Sequence, residues 1–219
     1  MENLHDENLN EEVIPEEIAI EQENKDSAPK KKELPLRQRI FKDVRDILII
    51  IGVFMLIYTL CFRAVVVRGN SMYDTLCDGD RLLVLNRIFY RNPKQGDIIV
   101  ASKDSFRNGE CIIKRVIATE GQEVDIDFTT GTVYVNGVAL KEPYLYSDTN
   151  RPEGMEFPLV VDKGCVFVMG DNRMDSKDSR DPEIGLIDER EIVGKVIFLL
   201  MPGRNAQGKI DYSRIGVID

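Results

Sequence analysis

The chain has 219 residues, 43% of them apolar, and carries 29 basic against 38 acidic side chains, a net charge of −9. Nine of the acids and none of the bases fall in residues 1–24, so the rest is neutral overall and no basic nucleic-acid-binding face is indicated. The single histidine, His5, lies in that acidic stretch; this argues against Ser-His-Asp and Cys-His hydrolases and most zinc enzymes, and turns the search toward lysines, carboxylates and hydroxyls.

In chain order, residues 1–24 read as a disordered, solvated tail, poor in aromatics and broken by Pro15. Residues 25–46 reverse the charge, with eight bases against four acids. Ile47–Phe62 then runs for sixteen residues without a charge or a polar helical face. Past Arg63, which can snorkel, Ala64–Val67 extends the apolar run to 21 residues. As a helix that is about 31 Å, enough to cross the hydrocarbon core of a bilayer. A cleavable leader is not expected, because 46 residues precede the run and no small-residue cleavage site follows it. The organisation expected is therefore a cytoplasmic tail over 1–46, a transmembrane anchor over 47–67, and an extracytoplasmic domain over 68–219. The excess of bases before the anchor sets that orientation.

The exported part reads as short, β-branched strands: Arg81–Asn86, Asp97–Val100, Cys111–Ala118, Glu123–Phe128, Thr132–Val135, Leu159–Val161, Val166–Met169 and Ile192–Leu200. Turn signals such as Asn92-Pro93, Thr130-Gly131, Asn136-Gly137 and Lys163-Gly164 separate them. Residues 187–191 offer only a weak, charged, helix-like patch. The fold class expected is mainly β, an antiparallel sheet domain on one N-terminal helix. Cys61, Cys77, Cys111 and Cys165 contain no C-x-x-C pair and read as small buried residues.

Three places could carry chemistry. Gly69-Asn70-Ser71 follows the anchor, and both residues before Ser71 tolerate a sharp turn that would present the hydroxyl. Tyr73 stands where a G-x-S-x-G elbow would need its second glycine. Lys114 and Lys195 each sit inside an apolar strand, and burial could lower either one toward the range of a general base. Alternation puts Lys114 on the face of Ile112 and Val116, and spacing does not choose between the two lysines. Gly170–Arg180, after the strand Val166–Met169, is dense in hydroxyls, carboxylates and arginines able to orient a catalytic group.

Taken together, Ser71-Met72-Tyr73-Asp74-Thr75-Leu76, Gly96-Asp97-Ile98-Ile99-Val100, Ile113-Lys114-Arg115-Val116-Ile117 and Gly170–Arg180 resemble, in type and order, the motifs of the type I signal peptidases. That resemblance implies a membrane-anchored serine protease with a Ser/Lys dyad. Ser71 would be the nucleophile, Lys114 the general base in place of Lys195, and Ser176 a hydrogen-bond partner of Lys114. Asp178 and Arg180 would form a supporting ion pair, and the Ser71 N–H would serve the oxyanion. The expected substrates are preprotein signal peptides cut after small residues (Ala-x-Ala), the other partner membrane lipid; neither nucleic acid, cofactor nor metal is implied, and a monomer is expected. The chain departs from the family pattern at Gly69, where some members have a hydroxyl, at Asp74, usually Pro, and at Ala118, usually Gly. A carboxylate three residues from Ser71 would raise the Lys114 pKa. The alternative is an inactive, tethered β domain that binds exported chains. Only eight residues, Arg63–Asn70, separate Phe62 from Ser71, at most about 28 Å of extended chain.

Overall fold

Helix α1 spans Leu36–Cys61, 26 residues with none of its side chains buried, and is long and apolar enough to cross a membrane. It comes from a computed structural model that describes residues 35–103, 106 and 109–218. Of the tail expected over 1–46, residues 1–34, with His5, lie outside the described residues, and 36–46 are helical. Where the sequence suggested an anchor over 47–67, the helix begins eleven residues earlier and stops at Cys61. Its first turns are rich in Leu, Arg, Gln and Lys, good helix formers, and Pro35 offers its carbonyl to the N–H groups of Gln38 and Arg39. It ends where Phe62–Val66 finds a strand partner, as β-branched and aromatic residues prefer.

That segment is β1 (Phe62–Val66), paired antiparallel with β2 (Arg81–Asn86) in the register Phe62↔Leu85 to Val66↔Arg81. The main sheet is completed by β3 (Ile98–Ser102), β4 (Cys111–Thr119), β9 (Cys165–Met169), β10 (Ile187–Asp188), β11 (Ile192–Met201) and β12 (Gly216–Val217). Its order is β1-β2-β11-β3-β4-β9-β10, with β12 added to β11. A smaller sheet, in the order β7-β6-β5-β8, comprises β5 (Glu123–Asp127), β6 (Thr132–Val135), β7 (Val138–Ala139) and β8 (Leu159–Val160). Every ladder is antiparallel, so the fold is the mainly β one that the sequence suggests. Asn136 and Gly137 turn β6 into β7 with φ of 52° and 75°, the paired positive values of a tight hairpin. Residues 187–191 are a short strand followed by a 3-10 turn, whose Asp188 and Glu191 form a capping box.

Three apolar clusters fill the domain, and β4 runs through all of them. Ile112 and Val116 pack with Ile99, Val168 and Ile187. Ile113 lies against Val67, Met72, Leu76 and Val100. Ile117 and Ala118 join the smaller sheet through Val124, Ile126 and Val133. A side chain carried by β4 is thus held by all three clusters.

Gly194 of β11 has no room for a side chain, since a Cβ there would come within 2.1 Å of the Leu85 carbonyl on β2. Gly194→Ala forces the two central strands apart. By ordinary overpacking costs it should lower the melting temperature of the solubilised chain by roughly 4–10 °C; unchanged melting would show that the β2–β11 contact can open without penalty.

Candidate active site

The segment after β1 is a closed loop. Val67 donates to the Asp80 carbonyl at 2.8 Å and accepts from Gly79 at 3.0 Å. Gly69 takes a positive φ of 84° and gives its N–H to the Asp78 carboxylate at 2.8 Å. The chain then coils, with Tyr73 N–H on the Asn70 carbonyl and Leu76 N–H on that of Met72. Met72 and Leu76, both fully buried, plug this coil into the core beside Leu82 and Val84. Ser71 is thereby held half-buried over the sheet, and its backbone N–H has no hydrogen-bond acceptor among the described residues.

Lys114, 5% exposed, reaches that hydroxyl from β4: its Nζ donates to Ser71 Oγ at 2.7 Å and to the Ile113 carbonyl at 3.1 Å. Burial pulls the amine down from 10.5 to about 8, against the raising influence of Asp178, Asp171 and Asp175 and with help from Arg180. Lys195, the rival lysine, lies elsewhere. It pairs with Asp97 at 2.5 Å, and Tyr90 donates to the same carboxylate.

Behind the pair runs the loop after β9. Gly170 sits so tightly that a Cβ would fall 2.3 Å from Ser176 Oγ and 2.4 Å from the Ser71 carbonyl. Asp178 Oδ2 receives the Gly170 N–H at 3.0 Å, the Ser176 hydroxyl at 2.7 Å and Arg180 Nη2 at 2.9 Å, while Oδ1 takes Arg180 Nε at 2.8 Å. Both members of the ion pair are wholly buried. Burial would push the Asp178 carboxyl up, but the Arg180 guanidinium and the N–H and O–H donors hold it below its ordinary value. Asn172 donates its backbone N–H to the Ser71 carbonyl at 3.0 Å and its side-chain amide to that of Asn70 at 3.3 Å. Asp171 takes a forked pair of bonds from Arg115, at 3.0 and 2.8 Å, and one from Thr75 at 2.6 Å. The Arg115 guanidinium in turn covers the Tyr144 ring at 3.9 Å. A hydroxyl and a dry amine in contact, with an unengaged backbone N–H beside them, can attack and stabilise a carbonyl.

The model of the family described as signal peptidase, peptidase S26, matches residues 40–201, most of the chain. The chain belongs to the signal peptidase family. It is 37% identical over 166 residues to "Signal peptidase I" of Bacillus amyloliquefaciens, covering 72% of this chain and 83% of that one. With "Signal peptidase I" of Bacillus licheniformis it shares 34% over 174 residues, 76% and 91% of the two chains. A crystal structure of a signal peptidase I from Enterococcus faecalis is 33% identical, covers 48% of this chain and 97% of that one, and has a TM-score of 0.39; the fold stands on the strand pairing described above. As a member of this serine hydrolase family, the chain is an enzyme.

Within the site, the structure brings Ser71, Lys114, Ser176, Asp178 and Arg180 into one cluster, with one difference from expectation. Ser176 does not bond Lys114: its hydroxyl donates to Asp178, the stronger, charged acceptor. Asp74 is exposed, and the carboxylates that raise the Lys114 amine most are Asp178, Asp171 and Asp175. Among the cysteines only Cys77 is buried; Cys111 is exposed where it opens β4 at the mouth of the cleft. Sequence reasoning did not single out Thr75, Arg115 or Asn172. Arg115 did carry a signal, for a charge in a buried strand requires a buried counter-charge, and Asp171 is that group.

Breaking the buried pair tests this arrangement. Asp178→Ala leaves the Arg180 guanidinium uncompensated, and unfolding by denaturant should show a loss of about 3–5 kcal/mol. For the wild type, a carboxyl held below 3.8 contributes stability that is present above that pH and lost as the pH falls through the lower folded value. The variant should therefore lack this step in a stability–pH profile; an identical profile would remove Asp178 from the account.

Proposed function

We propose that this chain is a membrane-anchored serine endopeptidase that removes signal peptides from exported preproteins, cutting after small residues in Ala-x-Ala sequences. Ser71 is the nucleophile and Lys114 the general base. The observation that carries this reading is the 2.7 Å contact between Lys114 Nζ and Ser71 Oγ at a buried amine brought down to about 8. A lysine with an ordinary pKa would be charged at neutral pH and unable to accept a proton. Here a substantial fraction is neutral near pH 8.

In this mechanism neutral Lys114 takes the Ser71 proton as Oγ attacks the peptide carbonyl. The Ser71 N–H steadies the oxyanion, and Lys114 returns the proton to the leaving amine. The acyl-enzyme is then opened by a water that Lys114 deprotonates. Asp178 and Arg180 act from behind, fixing Ser176 and the Gly170 turn against which the nucleophile rests. The cleft in front of the dyad is about 1000 Å³ and is lined by Val65–Met72 on one wall and Cys111–Lys114 on the other. Both walls have an open edge: β1 pairs only with β2, and β9 joins β4 only from Arg115 onward. An extended substrate can add there as a strand, with its side chains selected by the walls.

The membrane reading rests on α1, on the charge bias before it and on chain length. Residues 1–46 stay in the cytoplasm, and the β domain works on the other side. Ser71 is within about 36 Å of chain from the helix end, at the height where a preprotein leaves the bilayer on its apolar targeting helix.

With the full chain in detergent and a preprotein carrying Ala-x-Ala, Ser71→Ala and Lys114→Ala should each cut cleavage by about 10⁴-fold or more while the chain still folds cooperatively. Lys114→Arg should be as inactive, since a guanidinium keeps its proton. Wild-type rate should fall about tenfold per unit as the pH drops below about 8, following protonation of the amine. Full activity of either alanine variant, or a flat rate between pH 9 and 6, would overturn the dyad.

A further inference from the structure

Away from the cleft, a second cavity of about 320 Å³ opens beside β1, lined among others by Arg63, Asn86, Arg87, Ile88, Arg190 and Glu191. Three guanidiniums thus face one carboxylate. That carboxylate is already engaged: Glu191 Oε2 accepts the Asp188 N–H at 3.0 Å and lies 3.7 Å from Lys103 Nζ. Arg190 forks onto Asp188 at 2.9 and 3.0 Å. Arg87 spends one N–H on the Arg190 carbonyl, and Arg63 has no hydrogen-bond or ion-pair partner among the described residues. Arg63 and Arg87 therefore line an exposed cavity in which no carboxylate among the described residues is free to meet their remaining donors.

The position of this cavity in the chain says what it meets. Arg63 stands two residues after Cys61, the last residue of α1, at most about 7 Å along the chain. The register Phe62↔Leu85 carries Asn86 and Arg87 past the start of β1, toward the side from which the helix enters the sheet. The turn that follows exposes two large apolar side chains, Ile88 and Phe89, by 56% and 55%. Arginines at the exit of an apolar helix, rimmed by exposed apolar side chains, have the composition of a surface at headgroup depth.

We propose that this cavity binds the phosphate of an anionic phospholipid headgroup, with Arg63 and Arg87 donating to its oxygens and Ile88 and Phe89 resting on the acyl-chain side. A bilayer favours this over a free phosphate ion because all three arginines are exposed, so the ligand must be held in place by something besides the site. The site rests on α1 being a membrane anchor, and its function would be to set the domain's height and rotation over the bilayer.

The test uses the full chain in nanodiscs of phosphatidylcholine, with and without phosphatidylglycerol, and reads hydrogen exchange at Phe89 and Tyr90, whose amides are held by the Asn86 carbonyl. Phosphatidylglycerol should slow both on the order of fivefold, and the double variant Arg63→Gln, Arg87→Gln should lose that slowing. The variant should still cleave a soluble signal-sequence peptide in detergent at the wild-type rate. Equal exchange in the two disc types, or slowing that survives the double substitution, overturns the site. Slowing reproduced by millimolar inorganic phosphate in phosphatidylcholine discs overturns the lipid assignment. A chain that does not enter discs fails the anchor and the site together, whereas one that enters, cleaves and shows no lipid difference fails the site alone.

Discussion

Everything in this domain is arranged around keeping one amine dry. Lys114 is brought from 10.5 to about 8 by burial, which opposes folding by roughly 3 kcal/mol while the amine is protonated. Such a cost persists only where the surroundings are strong enough to impose it. Here β4 is held by β3 and, from Arg115 onward, by β9, and contributes to all three apolar clusters, so the backbone that carries the lysine is fixed. Three carboxylates near it would reverse the effect if they were free. Two of them are not: Asp178 is neutralised by Arg180, and Asp171 by Arg115.

The same ion pairs position Ser71. Ser71 lies in a loop near the start of the domain, and the groups that hold it come from about a hundred residues later. Asn172 binds the Ser71 carbonyl, Thr75 binds Asp171, and Gly170 leaves only enough space for the two loops to touch. Buried charges seldom add net stability over apolar packing. Their use here is geometric: a forked guanidinium–carboxylate bond fixes direction as well as distance.

The substrate cleft follows from an offset in strand pairing. β9 covers β4 only from Arg115 onward, so residues 111–114 keep a free edge on the side of the dyad. β1, as the outermost strand, supplies the other wall. Lys114 and the open edge belong to one strand, and an extended segment laid against that edge would pass Ser71.

Much of this was legible along the chain. The strands over Arg81–Asn86 and Thr132–Val135 stand where β-branched runs and turn dipeptides put them, because local sterics decide them. The anchor was legible as apolar length, but its end was not: Phe62–Val66 is apolar enough for either helix or strand, and pairing with β2 made it a strand. Ser71 and the two lysines stood out as polar groups in unusual settings, and motif order, rather than spacing, favoured Lys114. Only the tertiary structure puts its Nζ against Ser71 and sends Lys195 to Asp97, since distances between strands far apart in sequence have no local signature. For the same reason Asp178, not Lys114, takes the Ser176 hydroxyl. Sequence alone determined which residue types were available, their strand periods and an apolar span of membrane length, all set by local chemistry. Tertiary structure decided which charges meet and which stay dry, because burial and pairing belong to the packed sheet and to no single segment of it.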